Sequence, residues 1–245
     1  MAVDEALLQC MADGDEPVLR LYGFAPPCVS LGRFQPAGDL GDDALRRRDG
    51  VGLVRRPTGG RAVLHDEEVT YAVILGRHHL QPFGKRAAYR ASAEILLRLL
   101  PALGIQGAVQ PGAAATAPRT PDPDCFRSTA EYEITAGRKK LVGSAQTTTR
   151  NAALQHGTIP LSAAYTRIAR YLRARPVATP VHLAATSVAQ ETASRRNYEE
   201  ALQLLANAAA ARFQVRRSEL SATEARLARS LEETRYACPR WTWSR

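Results

Sequence analysis

Apolar positions along the chain change period several times, and each change marks an element. Val3, Leu7, Cys10 and Met11 share one face of a helix predicted over residues 3–13, with Asp4 and Glu5 in its first turn, where the helix dipole favours acids. Residues 19–22 and 29–32 predict two short strands separated by the Pro26-Pro27 turn. Residues 52–56 predict a strand leading into a Gly59-Gly60 turn, and residues 62–64 and 70–75 predict two more. The last of these is rich in β-branched and aromatic residues, which suit a pleated surface. A helix over 89–100 turns Ile95, Leu96, Leu99 and Leu100 inward and stops at Pro101 and Gly104. Residues 107–123 hold Pro, Gly and Ala with few large apolar groups, which predicts a mobile loop. Residues 132–135 and 140–142 predict a β-hairpin around Gly137, and residues 158–161 a further strand.

After about residue 164 the pattern becomes helical and rich in Ala, Arg and Leu. Residues 198–213 predict one helix, and Ser221 with Glu224 form a capping box for a last helix over 223–235. No internal repeat is present. The expected fold class is α/β in the α+β sense: a mixed, largely antiparallel sheet flanked by helices. Residues 1–165 are expected to form its core, and residues 166–245 a helical part packed on the same domain.

Composition narrows the function. At 245 residues with 45% apolar content, the chain can bury one substantial core. A net charge of +9 and a pI near 9.8 point to acidic partners: nucleic acid, an anionic membrane or an acidic protein. The basic residues are scattered, as in Arg46-Arg47-Arg48, Arg138-Lys139-Lys140 and Arg195-Arg196. Without a basic tail, a helical stripe or zinc-finger spacing, nucleic acid is not expected. Cys10, Cys28, Cys125 and Cys238 are far apart and form no CxxC pair, as in a reduced cytoplasmic protein. The first residues lack a basic leader and an apolar signal core, and no apolar run is long enough to span a bilayer. A soluble, cytoplasmic monomer with no membrane partner is expected.

Two stretches carry chemistry. Cys125 follows Pro121-Asp122-Pro123-Asp124, an approach that suits a loop better than a packed core position. A cysteine on a loop beside a cation is activated as its thiolate, whereas isolated cysteines are more often small core hydrophobes. Lys140 opens the second hairpin strand and is either a solvated surface lysine or a cation near Cys125. Lys139 faces the other side of that strand, so only one of the pair can enter a site. Gly59-Gly60, preceded by Arg55-Arg56 and Thr58, allows close backbone approach to a carbonyl, and a plain tight turn explains the same glycines. His65 is a site residue or a satisfied core histidine. Gly143-Ser144-Ala145-Gln146 and Gln155-His156-Gly157 combine small residues with polar groups that can align a substrate. No P-loop and no metal-ligand spacing occurs.

The order of these segments is more informative than any one of them. RRPTGGRAVLHDEEVTYAVIL (55–75), CFRSTAEYEITAGRKKLVGSAQ (125–146) and LQHGTIPL (154–161) together closely resemble the lipoate ligase and octanoyltransferase superfamily. MAVDEALL (1–8) looks like the family's first helix and RYACPRWTW (235–243) is similar to its terminal motif, so the resemblance spans nearly the whole chain. It implies the α/β catalytic domain shared with biotin protein ligases. Ligases of the superfamily have no cysteine at the Cys125 position and usually carry a third glycine where this chain has Arg61. Both differences favour the octanoyltransferase branch, which transfers from a preformed thioester.

The resemblance implies roles as well. Cys125 would attack the octanoyl thioester of an acyl carrier protein, and Lys140 would lower its pKa and orient the carbonyl. The Gly59-Gly60 backbone, with Arg56 and His65, would line the acyl tunnel mouth. Thr58, Arg61, Gly143, Ser144, Gln146 and His156 complete the expected substrate site. The acceptor would be a lysine of a lipoyl domain, such as the glycine cleavage H protein, with no cofactor and no metal required. Burying eight carbons at roughly 0.8 kcal/mol per methylene gives on the order of 5 kcal/mol toward chain-length selection. Three alternatives stay open: an ATP-dependent lipoate ligase in which Cys125 is incidental, an amidotransferase between lipoyl domains, and a non-catalytic subunit of a two-part ligase. Family members generally have a strand ahead of the first helix, so either a sheet edge is missing here or the start lies upstream.

Overall fold

A computed structural model of the chain describes residues 1–12, 14–41, 43–109, 124, 133–137, 139–173 and 184–244. In chain order, helix α1 (Ala2–Cys10) is followed by strands β1 (Val18–Tyr22) and β2 (Cys28–Leu31), helix α2 (Asp43–Arg48), and strands β3 (Gly52–Arg55), β4 (Val63–His65) and β5 (Glu68–Gly76). Helix α3 (Lys85–Leu99) leads to β6 (Gly107–Val109), β7 (Ile134–Ala136), β8 (Lys139–Lys140), β9 (Gly143–Thr148) and β10 (Ala152–Pro160). A 3-10 helix (Ala163–Arg170) then precedes α4 (Val188–Thr192), α5 (Tyr198–Arg212), α6 (Ala222–Leu231) and α7 (Pro239–Thr242).

The largest sheet is antiparallel in the order β1-β5-β10-β9. Every residue of β5 is buried because both faces of this strand are covered. Its alternation sorts the side chains. Val69, Tyr71, Val73 and Leu75 enter the main core with Leu96, Leu99 and Leu100 of α3 and its end, and with Ala201 and Leu205 of α5. Ala72 and Ile74 face the other way, against Leu7, Leu8 and Met11. Each fully buried leucine contributes roughly 1.5–3 kcal/mol. A second sheet, β3-β2-β4, pairs β2 with β3 in parallel and with β4 antiparallel, and packs on Ile168, Tyr171 and Leu172. A third, β6-β7-β8, is an antiparallel meander with Gly137 at φ +58 in its turn. Helix α6 packs its Ala228 and Leu231 against Ala6, while Glu5 accepts a hydrogen bond from Tyr236 Oη at 2.6 Å and pairs with Arg235.

The mixed, largely antiparallel architecture matches the expected fold class, with four local corrections. Residues 107–109 form a paired strand, not part of a loop, because β7 supplies the ladder partner that three small residues cannot signal. Residues 110–123 of that expected loop lie outside the described residues, as do Tyr132 and Arg138 of the hairpin. Strand β10 begins six residues before the expected 158, its polar Gln155 and His156 being held by partners on both sides. Helix α1 ends at Cys10, short of the expected residue 13, while Asp4 and Glu5 lie in its first turn as expected and are buried against basic and hydroxyl groups. Helix α6 gives way to a π turn (Glu232–Tyr236) and then to α7, so the expected last helix is not the last. Among the described residues, no helix is long and apolar enough to cross a membrane.

Gly157 marks the tightest crossing of the large sheet. A Cβ there would stand 2.1 Å from the Gly143 carbonyl oxygen and 2.8 Å from the Tyr71 ring. Overpacking of this kind costs about 1–3 kcal/mol when neighbours can yield, and here one neighbour is backbone. Gly157→Ala should therefore lower the melting temperature by roughly 2–4 °C for each kcal/mol lost. An unchanged melting temperature would show that β9 and β10 separate without cost.

Candidate active site

The site is assembled where the three-residue end of β2 meets the turn after β3. Arg55 and Arg56 are both buried. Arg56 Nη1 donates to the Ser30 carbonyl at 2.9 Å and to Ser30 Oγ at 3.2 Å, while Nη2 donates to the carbonyls of Gly59 (2.8 Å) and Arg61 (2.7 Å). One guanidinium thus staples the Gly59-Gly60 turn to β2. The turn lies so close to β2 that a Cβ on Gly32 would meet the Gly60 carbonyl oxygen at 1.9 Å. Gly60 itself adopts φ +87, a conformation that glycine takes without strain. The glycine pair therefore serves first a close approach of the protein to itself.

Two hydroxyl–imidazole–carboxylate chains flank this turn. In one, Thr58 Oγ1 lies 2.7 Å from His156 Nε2, and His156 Nδ1 lies 3.0 Å from Asp4 Oδ2. In the other, Ser30 Oγ lies 2.8 Å from His65 Nε2, and His65 Nδ1 lies 2.7 Å from Glu68 Oε1. A carboxylate only accepts, so each Nδ1 carries the proton and each Nε2 accepts from the hydroxyl. Asp4 also accepts from Arg20 at 2.6 Å and from Tyr22 Oη at 2.7 Å, and Thr70 donates to Glu68. Phe24 stacks on His65 with centroids 4.3 Å apart. His65 is thus satisfied on both nitrogens and on its face.

Burial pushes the His156 pKa below its ordinary value, against the opposing pull of Asp4. Burial would raise Asp4, but its hydrogen bond to His156 and nearby positive charges, Arg20 among them, hold it well below the carboxylate range. Burial pushes the Tyr71 hydroxyl up to about 12, so it stays neutral while bonding Ser144 Oγ at 2.7 Å. The Cys28 thiol is likewise raised by burial to about 12, which leaves it unreactive.

Between the two chains lies a pocket whose lining includes Ser30, Arg56, Val63, His65, Thr70, Gly143, Ser144, Ala145, His156 and Thr158. About 320 Å³ is free of atoms, but the space open to the centre of a water-sized sphere is only about 20 Å³. The second figure decides occupancy, and it corresponds to little more than one water. Beside the pocket, the position of a Cβ on Gly60 comes within 3.8 Å of Ala145. The next residues on those two segments are Arg61 and Gln146, whose Nη1 and Oε1 are buried without a hydrogen-bond partner among the described residues.

Lys140 is buried at the end of β8, its Nζ 2.5 Å from Glu133 Oε1, while Lys139 is only half-buried. The Lys140 carbonyl accepts from Thr186 N at 2.9 Å, which fixes the backbone just ahead of Gly143. Lys140 does not line the pocket. Cys125 lies outside the described residues. Its covalent neighbour Asp124 is buried and forms a parallel bridge to Ala62, directly after Arg61.

Of the expected residues, Arg56, Thr58, Gly59, Gly60, Arg61, His65, Gly143, Ser144, Gln146 and His156 thus converge on one region. Asp4, Ser30 and Glu68 complete it and were not expected. Asp4 carried the pattern of an ordinary helix start, and Ser30 sits inside an apolar run. Only Glu68, three residues from His65, offered a sequence signal.

The His156–Asp4 pair has a consequence for pH. An unfolded histidine titrates near 6.5 and the folded His156 lower, so the unfolded state gains the proton first. The stability given by neutral His156 is complete above pH 6.5 and is lost as pH falls below it. The depressed Asp4 adds a contribution that is present above pH 3.8 and lost on further acidification. Urea midpoints should fall as pH drops from 6.5, and His156→Asn should make that slope shallower between pH 6.5 and 4. An identical slope in the variant would refute a neutral, desolvated His156.

A family model described as the lipoyl protein ligase A/B catalytic domain matches residues 1–210. The octanoyltransferase LipM of Symbiobacterium thermophilum is 35% identical across 98% of this chain and 92% of its own length. The octanoyltransferase LipM of Kyrpidia tusciae is 45% identical over a shorter alignment, 66% of this chain and 61% of its own length. Among solved structures, lipoate-protein ligase A bound with ATP superposes with a TM-score of 0.78 at 23% identity, covering 99% of this chain and 92% of that one. A chain from the bi-partite lipoate protein ligase of Thermoplasma acidophilum and its E2 lipoyl domain gives 0.75 at 22% identity, covering 99% and 89%. These structures share the fold. With the family model matched over most of its length and a relative aligned nearly end to end, this chain belongs to the lipoyl protein ligase A/B catalytic domain family.

Proposed function

We infer that the chain is an octanoyltransferase. Its similarity to octanoyltransferases along nearly the whole chain carries this reading. In the reaction proposed, the Cys125 thiolate attacks the octanoyl carbonyl of octanoyl-acyl carrier protein. A sulfur–carbon bond forms, the bond to the carrier sulfur breaks, and the carrier thiol takes up a proton. A lysine amine of a lipoyl domain, with the glycine cleavage H protein as the expected acceptor, then attacks the new thioester and releases Cys125. No ATP is consumed. The enzyme is proposed to act as a cytoplasmic monomer.

The geometry supports a division of labour. Asp124, the covalent neighbour of Cys125, bridges to Ala62 beside the Arg56-stapled turn. Arg61 and Gln146 hold polar atoms there without partners among the described residues, suited to the polar atoms of a thioester and its amide-bearing arm. Lys140 is proposed to favour the Cys125 thiolate and to pass protons in the second step, with Glu133 fixing its position. Residues 1–165 supply these groups, and residues 166–245 are proposed to brace them as part of the same domain.

A ligase reading rests on the fold neighbours alone, one of which holds ATP. Intact mass after mixing the protein with octanoyl-acyl carrier protein, without ATP, separates the two. A gain of one octanoyl group, removed by hydroxylamine and absent in Cys125→Ser, is expected. Acceptor modification only after ATP and free acid are added would make the chain a ligase.

Lys140→Ala should slow transfer by about 10²–10⁴-fold at neutral pH, the range for loss of a positioned proton-transfer group, with partial recovery at alkaline pH. A loss independent of pH would leave Lys140 a positioning role only.

A further inference from the structure

The loop after β2 and the C-terminal helix α7 build an aromatic, arginine-bearing face that the reaction centre does not use. Phe34 is 64% exposed and Trp243 45% exposed, unusual for large apolar side chains. The Arg33 guanidinium lies 5.6 Å from the Phe34 ring centroid and 5.9 Å from that of Trp241. Arg235 sits 4.8 Å from Trp241, and an open groove runs between Arg235, Arg240 and Trp241. Arg235 is already paired with Glu5. Among the described residues, neither Arg33 nor Arg240 has an ion-pair partner.

This face is fastened to the site. Arg33 N donates to the Thr58 carbonyl at 2.8 Å, and the Phe34 ring is 4.0 Å from the position of a Cβ on Gly59. Arg55 donates to the carbonyls of Gly32 and Gln35 at 2.7 Å and of Thr242 at 3.1 Å, and Trp241 Nε1 donates back to the Arg55 carbonyl at 2.7 Å. A partner seated here would rest against the Thr58–Gly59 turn.

We propose that the Arg33–Phe34–Arg240–Trp241 face docks the acyl donor, a small acidic carrier protein whose thioester arm is attached through a phosphodiester. The proposal builds on the octanoyltransferase reading. Charge complementarity selects this occupant: the chain carries +9, and the two arginines without ion-pair partners offer planar forks for phosphate and carboxylate. The exposed Phe34 ring and the half-buried Trp241 ring give an apolar centre edged by arginines, the usual anatomy of a docking site. The acceptor fits less well, because its reacting lysine is carried without the phosphodiester that the arginine forks suit.

The test compares the full chain with its Arg33→Glu/Arg240→Glu variant, and with Phe34→Ser as a milder probe. Binding of octanoyl-acyl carrier protein is measured directly at low and high salt, beside transfer from octanoyl-pantetheine, which lacks both protein and phosphodiester. The charge-reversed variant should bind the carrier at least about tenfold more weakly and lose most of its salt dependence, while transfer from octanoyl-pantetheine is unchanged. Equal carrier binding by parent and variant, or no carrier binding by the parent, would overturn the docking assignment. Selective loss of lipoyl-domain binding would also overturn it, in favour of the acceptor. Salt-sensitive carrier binding that the variant weakens, but with no octanoyl adduct on Cys125, would support the docking face and sink the octanoyltransferase reading alone.

Discussion

Two adjacent buried arginines hold this protein's working region together. Successive residues at the end of a strand point to opposite sides, so Arg55 and Arg56 reach in different directions from one stretch of backbone. Arg55 gathers carbonyls from the 32–35 loop and from Thr242, and Arg56 gathers those of Ser30, Gly59 and Arg61. Apart from that of Ser30 inside β2, these carbonyls belong to turns and to the end of α7, outside the sheet ladders. Left buried and unmet, each would cost about 1–3 kcal/mol. The flat fork of a guanidinium can satisfy several at once, whereas a lysine offers one compact ammonium. The cost of burying two cations is offset because their guanidinium groups meet so many carbonyl oxygens. The Gly32–Gly60 contact is the steric side of the same constraint, since only two glycines let the stapled backbones approach so closely.

The two imidazole chains extend that order into the pocket. Asp4 comes from α1 and Glu68 from β5, so the histidine orientations depend on the packing of the large sheet against its first helix. In a water-poor interior such chains reinforce each other, and a half-satisfied one would be a liability. Desolvation keeps His156 neutral, which makes it a fixed acceptor for Thr58 and not a switch. The result is a set of fixed polar groups around the pocket, held by carboxylates that do not themselves line it.

What the sequence showed and hid follows from the same physics. Strand β5 was legible because its buried stretch from Tyr71 to Leu75 leaves an unbroken apolar run, while its polar start at Glu68 carried no such signal. Helix α3 was legible from its inward leucines and its stop signals, and α6 from the Ser221–Glu224 capping box, which forms as expected. The glycine turn and its polar neighbours could be listed as site candidates from residue type alone. Their partners could not. Ser30 reads as part of an apolar strand, Asp4 as a routine helix start, and Glu133, the partner of Lys140, as an unremarkable charge on a hairpin. Each becomes informative only once the fold sets distant segments side by side, 152 residues apart for His156 and Asp4.

The pocket volume bears on how chain length could be read. Its open space admits about one water, while burying eight carbons yields on the order of 5 kcal/mol. Part of that gain must therefore offset the displacement of lining groups. Arg56, His65 and His156 are each fixed by two or more hydrogen bonds, so they resist movement. Val63, Ala145 and Met1 carry no such ties, and a methionine thioether adapts readily to a new neighbour. In the proposed reaction an acyl chain would displace the apolar groups first, with its carbonyl end left near Arg61 and Gln146. Selectivity in such a site comes from how far the apolar groups can yield, while the hydrogen-bonded groups keep their places.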